Sequence, residues 1–341
     1  MLLLGITGGV MAFEPELDRL VHPHLSYVKP GGNALPLVEI GKAISRQFGA
    51  EPVVAYLPSE SPDLSFEVIL PSGVVSVNQY TGEILGTRTR GQTVFGFARD
   101  LHVQLASGDV GRSIMKWSGV TMLVSLASGL YLWWPRKRVG IRSWRSAAFW
   151  FDLHSSVGIV ALAPLLVLAT TGTVIGFEDQ AADLFARIDG GTRVGAQHSS
   201  APRQERAGAS VITPDQAVLI AQAQMPGALL YRVQMPQYGG AYRVSLDNPR
   251  DKMAGERNLV VIDQYSGDVI SLTRSAEMSS GERMLAANEA IHTGAVLGMP
   301  SRIVAWMASV ILPVQVISGV FLWLRRRRGA VGGSMRAKET S

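Results

Sequence analysis

Long apolar runs alternate with long polar segments along this chain. Three of the runs reach the roughly 20 apolar residues that a helix needs to cross a bilayer, and each carries Trp or Phe near an end, as membrane-interface anchors do. These runs are residues 114–134, 149–177 and 303–324. A fourth apolar run, residues 1–13, is too short to cross a bilayer by itself. The pattern predicts membrane-spanning helices separated by polar inserts.

The chain contains an internal duplication. Residues 101–138 align without a gap on residues 291–328, so that "GLYLWWPRKR" at the end of the first block has its counterpart in "GVFLWLRRRR" at the end of the second. The alignment pairs His102 with His292. A constant spacing over so long a block indicates two copies of one structural unit.

The short first run matches an interior helix. Residues 7–14 align with residues 171–178 at a constant spacing. The run therefore corresponds to the second half of a helix whose first half would lie before Met1. We expect the true start of the gene to lie upstream of Met1, and mapping the start codon tests this.

The polar segments repeat as well. "VNQYTGEILG" (residues 77–86) resembles "VIDQYSGDVIS" (residues 261–271), and each pattern is that of strand, tight turn and strand, with Gly at the turn position that needs positive φ. A helix is predicted before each hairpin, over residues 35–48 and 213–224, the second opening on the start signal Thr-Pro-Asp. Each polar segment is predicted to form a small α+β insert.

Together these elements predict an all-α four-helix transmembrane bundle, with its first helix truncated, that carries two extracytoplasmic α+β inserts and arose by duplication. Each repeat would run from an outward-going helix through an insert to an inward-going helix. Seven segments are predicted: a partial transmembrane helix 1 (1–13), the first insert (27–90), transmembrane helix 2 (114–134), transmembrane helix 3 (149–177), the second insert (210–275), transmembrane helix 4 (303–324) and a basic cytoplasmic tail (325–341).

The net charge of +5 does not indicate a nucleic-acid partner, because the basic residues are not spread over the polar segments. Both large polar segments are net acidic, and the basic excess lies in residues 135–148 and 325–341, beside apolar runs. Under the positive-inside rule these two basic segments are cytoplasmic and the inserts lie outside the cytoplasm. The absence of cysteine excludes disulfides, thiolate metal sites and cysteine nucleophiles.

These features resemble the PepSY-associated transmembrane proteins, a family of iron-regulated and iron-uptake membrane proteins. The matching motifs are "DLH…GR…SGLYLWWPRKR", "AIH…SR…SGVFLWLRRRR", "DLHSSVGIV…TTGTVIGFE", "QYTGEILG" and "QYSGDVIS". The resemblance implies PepSY-like inserts, a multi-pass location in the bacterial inner membrane and, as in members that are ferric-siderophore reductases, one or two b-type haems. A family histidine would be expected in the missing half of the first helix.

Histidine is the residue type that the implied haem requires, since neutral imidazole is the usual axial ligand of a buried b-type haem. His154 lies near the start of an apolar helix, with Gly158 one turn further on the same face. An ionisable residue there is a functional candidate by default, and the alternative is an interfacial histidine bonded to solvent or lipid headgroups. The duplication places the counterpart of His154 before Met1.

His102 and His292 occupy matched positions in the two repeats, and we expect them to ligate one outer haem. His102 lies 12 residues before the apolar run that starts at Ile114. A short amphipathic helix, bending at Gly108 and Gly111, would have to fold this histidine back onto the apolar helices.

Arg112 and Arg302 lie just outside the apolar runs. Their guanidinium groups could pair with haem propionates or with an anionic siderophore, and snorkelling to lipid phosphate is the alternative. The remaining histidines, His22, His24 and His198, lie in polar segments and are expected to be solvated.

The leading interpretation is an inner-membrane haem protein that carries electrons outward to reduce a ferric siderophore or another ferric chelate. The sequence has no dinucleotide-binding or phosphate-binding motif, so the electron donor would be a quinol or a separate reductase. The alternative is a membrane-anchored PepSY binding or regulatory module without redox activity. A permease is the weaker hypothesis, because His154 is the one ionisable candidate well inside an apolar run.

Overall fold

The computed structural model describes residues 1–89, 93–146, 148–189, 210–236, 240–247 and 258–339. The chain divides into two compact units, each assembled from separate stretches of sequence. The helical unit comprises Met1–Ala12, Ala98–Glu178 and Asn288–Ser341, and the sheet unit comprises Phe13–Phe97 and Asp179–Ala287. Both units draw on both copies of the duplicated sequence.

The helices and strands of the described residues are numbered in chain order. The helices are α1 (Leu2–Met11), α2 (Glu14–Val21), α3 (Pro23–Ser26), α4 (Leu37–Phe48), α5 (Val94–Gln104), α6 (Gly108–Trp133), α7 (Phe149–Val160), α8 (Leu162–Gly176), α9 (Glu178–Ile188), α10 (Pro214–Gln224), α11 (Ser280–Thr293) and α12 (Met299–Glu339). The strands are β1 (Ala55–Leu57), β2 (Phe66–Leu70), β3 (Gly73–Val77), β4 (Ile84–Arg88), β5 (Leu229–Gln234), β6 (Ala241–Asp247), β7 (Asn258–Asp263) and β8 (Val269–Thr273).

The strands form one antiparallel sheet in the order β4-β3-β2-β1-β5-β6-β7-β8. β1 to β4 come from the first polar segment and β5 to β8 from the second. The halves join where β1 pairs with β5, with Ala55 opposite Gln234 and Tyr56 opposite Val233. This pairing satisfies the backbone groups that each half would otherwise expose at an edge. The predicted hairpins are confirmed as β3–β4 and β7–β8.

Helices α4 and α10 enclose the core of the sheet unit. α4 buries Leu37, Ile40 and Ile44, which recur at the three- and four-residue spacing of one helix face. α10 buries the small residues Ala217 and Ala221, so that it can approach the strands closely. These side chains pack with alternating strand residues, among them Val68, Val75, Val233, Val244 and Val260, in a single hydrophobic cluster.

The two core helices begin in different ways. α10 opens on the predicted Thr213 cap, whose hydroxyl accepts from Gln216 N at 3.2 Å while the Gln216 side chain accepts from Thr213 N at 2.8 Å. α4 is capped from the other repeat: Asp215 of α10 accepts from Leu37 N at 2.7 Å and from Val38 N at 2.9 Å. The carboxylate satisfies two unpaired amides and complements the helix dipole.

In the helical unit, α6 packs on α8 and α1 packs on α12, two contacts that the duplication makes equivalent. Small residues allow the close approach: a Cβ at Gly119 would lie 2.7 Å from Thr173 Oγ1, and one at Gly5 would lie 2.5 Å from Pro313 Cδ. α7 also packs on α12. The buried cluster of this unit is Met122, Ala161, Leu165, Ala169, Ala308 and Leu312.

The prediction of an all-α four-helix transmembrane bundle is wrong. The polar segments form an eight-stranded sheet, joined across the two repeats rather than kept as two separate inserts. Of the described helices, only Met299–Arg327 within α12 is by itself long and apolar enough to span a membrane. α6 is long, but Thr121, Ser125 and Ser128 interrupt its apolar surface, and α1 is too short.

The run over residues 149–177, predicted as one span, folds as two helices. α7 and α8 meet at Ala161 with a bend of 65°, and the pair can count as a span only if both helices are taken together. Pro164 lies in the first turn of α8, where it has no N–H to donate to the carbonyl of Val160. At the other end of the chain, α12 continues as a helix through the predicted tail to Glu339.

Substituting Asp215 tests whether one repeat caps a helix of the other. Asp215→Ala should leave Leu37 N and Val38 N without their acceptor, at a cost of about 1 kcal/mol, so both amides should exchange hydrogen roughly fivefold faster. Hydrogen–deuterium exchange on the full chain measures this. Asp268→Ala, at an exposed carboxylate near the β7–β8 turn, is the control. Equal exchange in both variants would contradict the capping role.

The same carboxylate lies near two buried tyrosines. Burial first, and then the charge of Asp215, raise the pKa of Tyr56 and of Tyr242 to about 12. A tyrosine with a raised pKa stabilises the fold fully below its ordinary pKa of about 10 and loses that contribution as the pH rises towards 12. We expect tyrosinate absorbance to contain a component near pH 12 that Tyr56→Phe and Tyr242→Phe each reduce.

Candidate functional site

His102 on α5 and His292 on α11 lie side by side in the helical unit. Their ring centroids are 6.4 Å apart and the ring planes are tilted by 59°. The structure thus brings together the two histidines that the duplication pairs in sequence.

A tight reversal of the chain between α5 and α6 folds the His102 end of α5 back onto the other helices of the helical unit. Leu105 and Ala106 have φ of 51° and 50°, and Gly108 has φ of 58°. A Cβ at Gly111 would lie 1.7 Å from Gln104 O, so only glycine lets the end of α5 fold against the start of α6. The chain turns at Gly108, one of the two expected glycines, after the left-handed residues Leu105 and Ala106, which the sequence did not predict. Gly111 lies inside α6, where it allows the close approach rather than a bend.

Each ring of the pair is held by a threonine on a neighbouring helix. His102 Nδ1 lies 2.8 Å from Thr7 Oγ1 on α1, and His292 Nδ1 lies 2.9 Å from Thr171 Oγ1 on α8. The Thr7 hydroxyl donates to Leu3 O at 2.6 Å, and the Thr171 hydroxyl donates to Val167 O at 2.7 Å.

These bonds determine the tautomer of both imidazoles. A hydroxyl has one proton, and each threonine uses it on the carbonyl four residues earlier. The threonine oxygen must therefore accept from the ring, which places the imidazole proton on Nδ1. The lone pair of Nε2 is then the one available to a metal.

A glycine follows each of these threonines and lies against the ring. A Cβ at Gly8 would lie 3.3 Å from His102 Cε1, and one at Gly172 would lie 3.0 Å from His292 Cε1. We call the two-residue unit a hydroxyl–glycine pair: the hydroxyl orients the imidazole and the glycine leaves room for it. Both pairs occupy the same position in the duplicated sequence.

His154 on α7 has the same surroundings. Its Nδ1 lies 2.9 Å from Ser318 Oγ, the Ser318 hydroxyl donates to Val314 O at 2.7 Å, and a Cβ at Gly319 would lie 3.3 Å from His154 Cε1. The repeat counterpart of this pair is Ser128–Gly129, and nothing lies within 4 Å of the position that a Cβ on Gly129 would take.

Gly158 has a different neighbour from the one expected. A Cβ at Gly158 would lie 3.1 Å from the nearest terminal amide atom of Gln315 on α12, so this glycine makes room for a side-chain amide. Sequence reasoning missed Gln315 and the orienting roles of Thr7, Thr171 and Ser318. The sequence does contain a signal for these hydroxyl residues. Thr-Gly occurs at residues 7–8 and again at 171–172, and Ser-Gly occurs at residues 128–129 and again at 318–319.

The arginines and the other histidines make local contacts. Arg302 donates to Ala12 O at 2.7 Å and so caps the end of α1. Arg112 is 63% exposed and lies 3.6 Å from Asp109 Oδ1. In the sheet unit, His22 Nδ1 lies 3.0 Å from Asp18 Oδ1, and its ring stacks edge-on with that of His24. His198 lies outside the described residues.

The geometry of His102 and His292 fits axial ligation of haem. A metal–imidazole bond is about 2 Å long and the bound nitrogen lies about 1 Å from the ring centroid, so a metal between two histidines places the centroids about 6 Å apart. The described residues contain no group of three or more His, Cys, Asp or Glu that could hold a bare metal ion. A porphyrin supplies four nitrogen ligands and needs two from the protein.

Comparison with known families agrees with the motif resemblance. A family model described as "PepSY-associated TM region" matches residues 1–326. The match extends over both repeats and over all the histidines discussed above. No curated protein matches the chain.

Removing the threonine hydroxyls tests the orienting role. Thr7→Val and Thr171→Val keep the side-chain shape but leave His102 or His292 Nδ1 without its acceptor. We expect loss of the uniform Nδ1–H tautomer, seen by nitrogen-15 NMR of histidine-labelled protein, and about 10–100-fold weaker haem retention. Thr121→Val removes a hydroxyl that bonds only its own helix, at Trp117 O, and is the control. An unchanged tautomer in both test variants would contradict the assignment.

Proposed function

Because the chain belongs to the PepSY-associated transmembrane family, we propose that this membrane protein binds b-type haem between His102 and His292 and passes electrons outward to a ferric chelate. The observation that carries the proposal is the pairing of two imidazoles at a centroid distance of 6.4 Å, each with its proton directed to a threonine. A ferric siderophore is the substrate class that the family resemblance favours.

Bound haem would supply a one-electron iron couple. The chain's own residues provide the conditions for using it. Thr7 and Thr171 hold the imidazoles with the proton on Nδ1, so that Nε2 of His102 and of His292 would be the atoms that hold the haem iron, an arrangement that would suit electron transfer. Asn288 donates to Thr171 O at 3.1 Å and supports the His292 side of the pair.

His154 is the candidate for a second site. Its hydroxyl–glycine pair reproduces the arrangement around His102 and His292, which supports a ligand role. The basic residues 135–148 support a cytoplasmic position for the start of α7. His154 would be the residue that holds a second haem there, and the electron donor on that side would be a quinol or a separate reductase. Arg142 and Asp152 join the cytoplasmic connection to α7 through a 2.8 Å ion pair.

The proposed location is the bacterial inner membrane, with the sheet unit outside the cytoplasm. The support is the family match together with the basic residues 135–148 and 325–341. In this orientation the electron acceptor, a ferric chelate, would be reduced outside the cytoplasm and would release its iron as the more weakly held ferrous ion.

Absorption spectroscopy of the purified full chain tests the haem proposal. We expect a Soret band, confirmed as b-type haem by the pyridine haemochrome assay, that His102→Ala and His292→Ala each abolish or strongly reduce. His24→Ala, at a histidine of the sheet unit, should leave it unchanged. If a Soret band remains in the His102 and His292 variants and His154→Ala removes it, the chain binds two haems.

Two results would contradict the proposal. One is a full chain that shows no Soret band after reconstitution with haem. The other is ferric-chelate reduction that continues at the parent rate in membranes carrying the double variant His102→Ala/His292→Ala. That result would favour a membrane-anchored PepSY binding module.

A further inference from the structure

Gln315 on α12 contacts the backbone of α7 beside His154. With its amide oriented so that both polar atoms have partners, Gln315 Nε2 lies 3.2 Å from His154 O and 3.3 Å from His154 Nδ1, and Oε1 accepts from Gly158 N at 3.1 Å. Since His154 Nδ1 donates to Ser318, the Gln315 N–H donates to the carbonyl.

These two backbone groups are the ones that would otherwise pair with each other. In an uninterrupted α-helix, the N–H of residue 158 donates to the carbonyl of residue 154. The Gln315 carboxamide offers a further partner to both groups from the side of α7, which is helical from Phe149 to Val160. Glycine at position 158 is what admits the amide, because a Cβ there would lie 3.1 Å from its nearest terminal atom, which is Nε2 in this orientation.

The contact lies just before the break between α7 and α8. α7 ends at Val160, and the axis turns by 65° at Ala161. Pro164 removes the donor that would have paired with Val160 O. His154 lies about two helical turns before this break.

Gln315 belongs to the second repeat alone. Its counterpart at the repeat spacing is Ser125, which is exposed and donates to Thr121 O on its own helix at 2.8 Å. The hydroxyl–glycine pairs are shared by the repeats, but this amide is not. Its role is therefore specific to His154 rather than a general feature of helix packing.

We propose that Gln315 is a positioning residue for His154, which holds the α7 backbone at His154 O and Gly158 N and so sets the depth and direction of the imidazole. The backbone part of this inference stands on the contacts alone, and its consequence for bound haem rests on the proposed function. Ser318 determines the tautomer of His154, and Gln315 determines where the main chain presents it.

Hydrogen–deuterium exchange of the full chain without haem tests the backbone contact. Gln315→Met keeps the length of the side chain and removes both hydrogen bonds, so the Gly158 amide should exchange about fivefold faster, equivalent to about 1 kcal/mol. Gln315→Glu keeps an acceptor for Gly158 N and should restore part of the protection. Ser125→Ala is the matched control at the repeat position, and unchanged exchange in α6 shows that the fold is retained.

Redox titration of the haem-loaded chain tests the consequence. Gln315→Met should shift the midpoint potential of the haem that His154→Ala removes and leave that of the His102–His292 haem in place. Exchange at Gly158 and a potential that both match the parent would overturn the inference. If the chain binds no haem, the proposed function fails, while the exchange measurement still decides whether Gln315 positions α7.

Discussion

An imidazole placed between apolar helices must hydrogen-bond through at least one ring nitrogen, because an unpaired polar group is costly in a poorly hydrated environment. In this protein a hydroxyl on a neighbouring helix meets that need, and the next residue is always glycine. His102, His292 and His154 are held in this way. The hydroxyl is itself committed to a carbonyl of its own helix, so each ring has one allowed proton position. The arrangement of the helical unit depends on this contact, since it sets which helices must touch and where small residues are needed.

Duplication explains why the arrangement recurs, and the sheet unit shows how the two copies became one structure. The halves meet at β1 and β5, so the sheet has two outer edges where two separate inserts would have four. Asp215 adds a second connection by capping α4 with a carboxylate from α10. A sheet joined in this way cannot divide into its repeats without exposing backbone groups and a buried face. The two PepSY-like segments are therefore one cooperative unit.

The two repeats differ in individual contacts. Gln315 replaces a serine and contacts the α7 backbone, and Pro164 breaks the ladder one turn later. Arg302 caps α1, whereas the matching Arg112 is exposed and lies near Asp109. A hydroxyl–glycine pair thus holds the symmetric histidines His102 and His292, and another holds His154, whose surroundings are not symmetric. The Gln315 contact is the asymmetry that lies beside His154.

Sequence by itself determined the features that local periodicity and repetition encode. The duplication paired His102 with His292, the turn glycines predicted both hairpins, and the Thr213 start signal predicted α10. Only the tertiary structure decided that the two inserts share one sheet, that residues 149–177 bend at Ala161, and that Thr7, Thr171, Ser318 and Gln315 meet the histidines. The physical reason is that strand-edge pairing and ring-to-hydroxyl bonds join residues far apart in the chain, 121 positions for Thr171 and His292. A local pattern shows which groups need partners, but only the folded chain shows which partners they find.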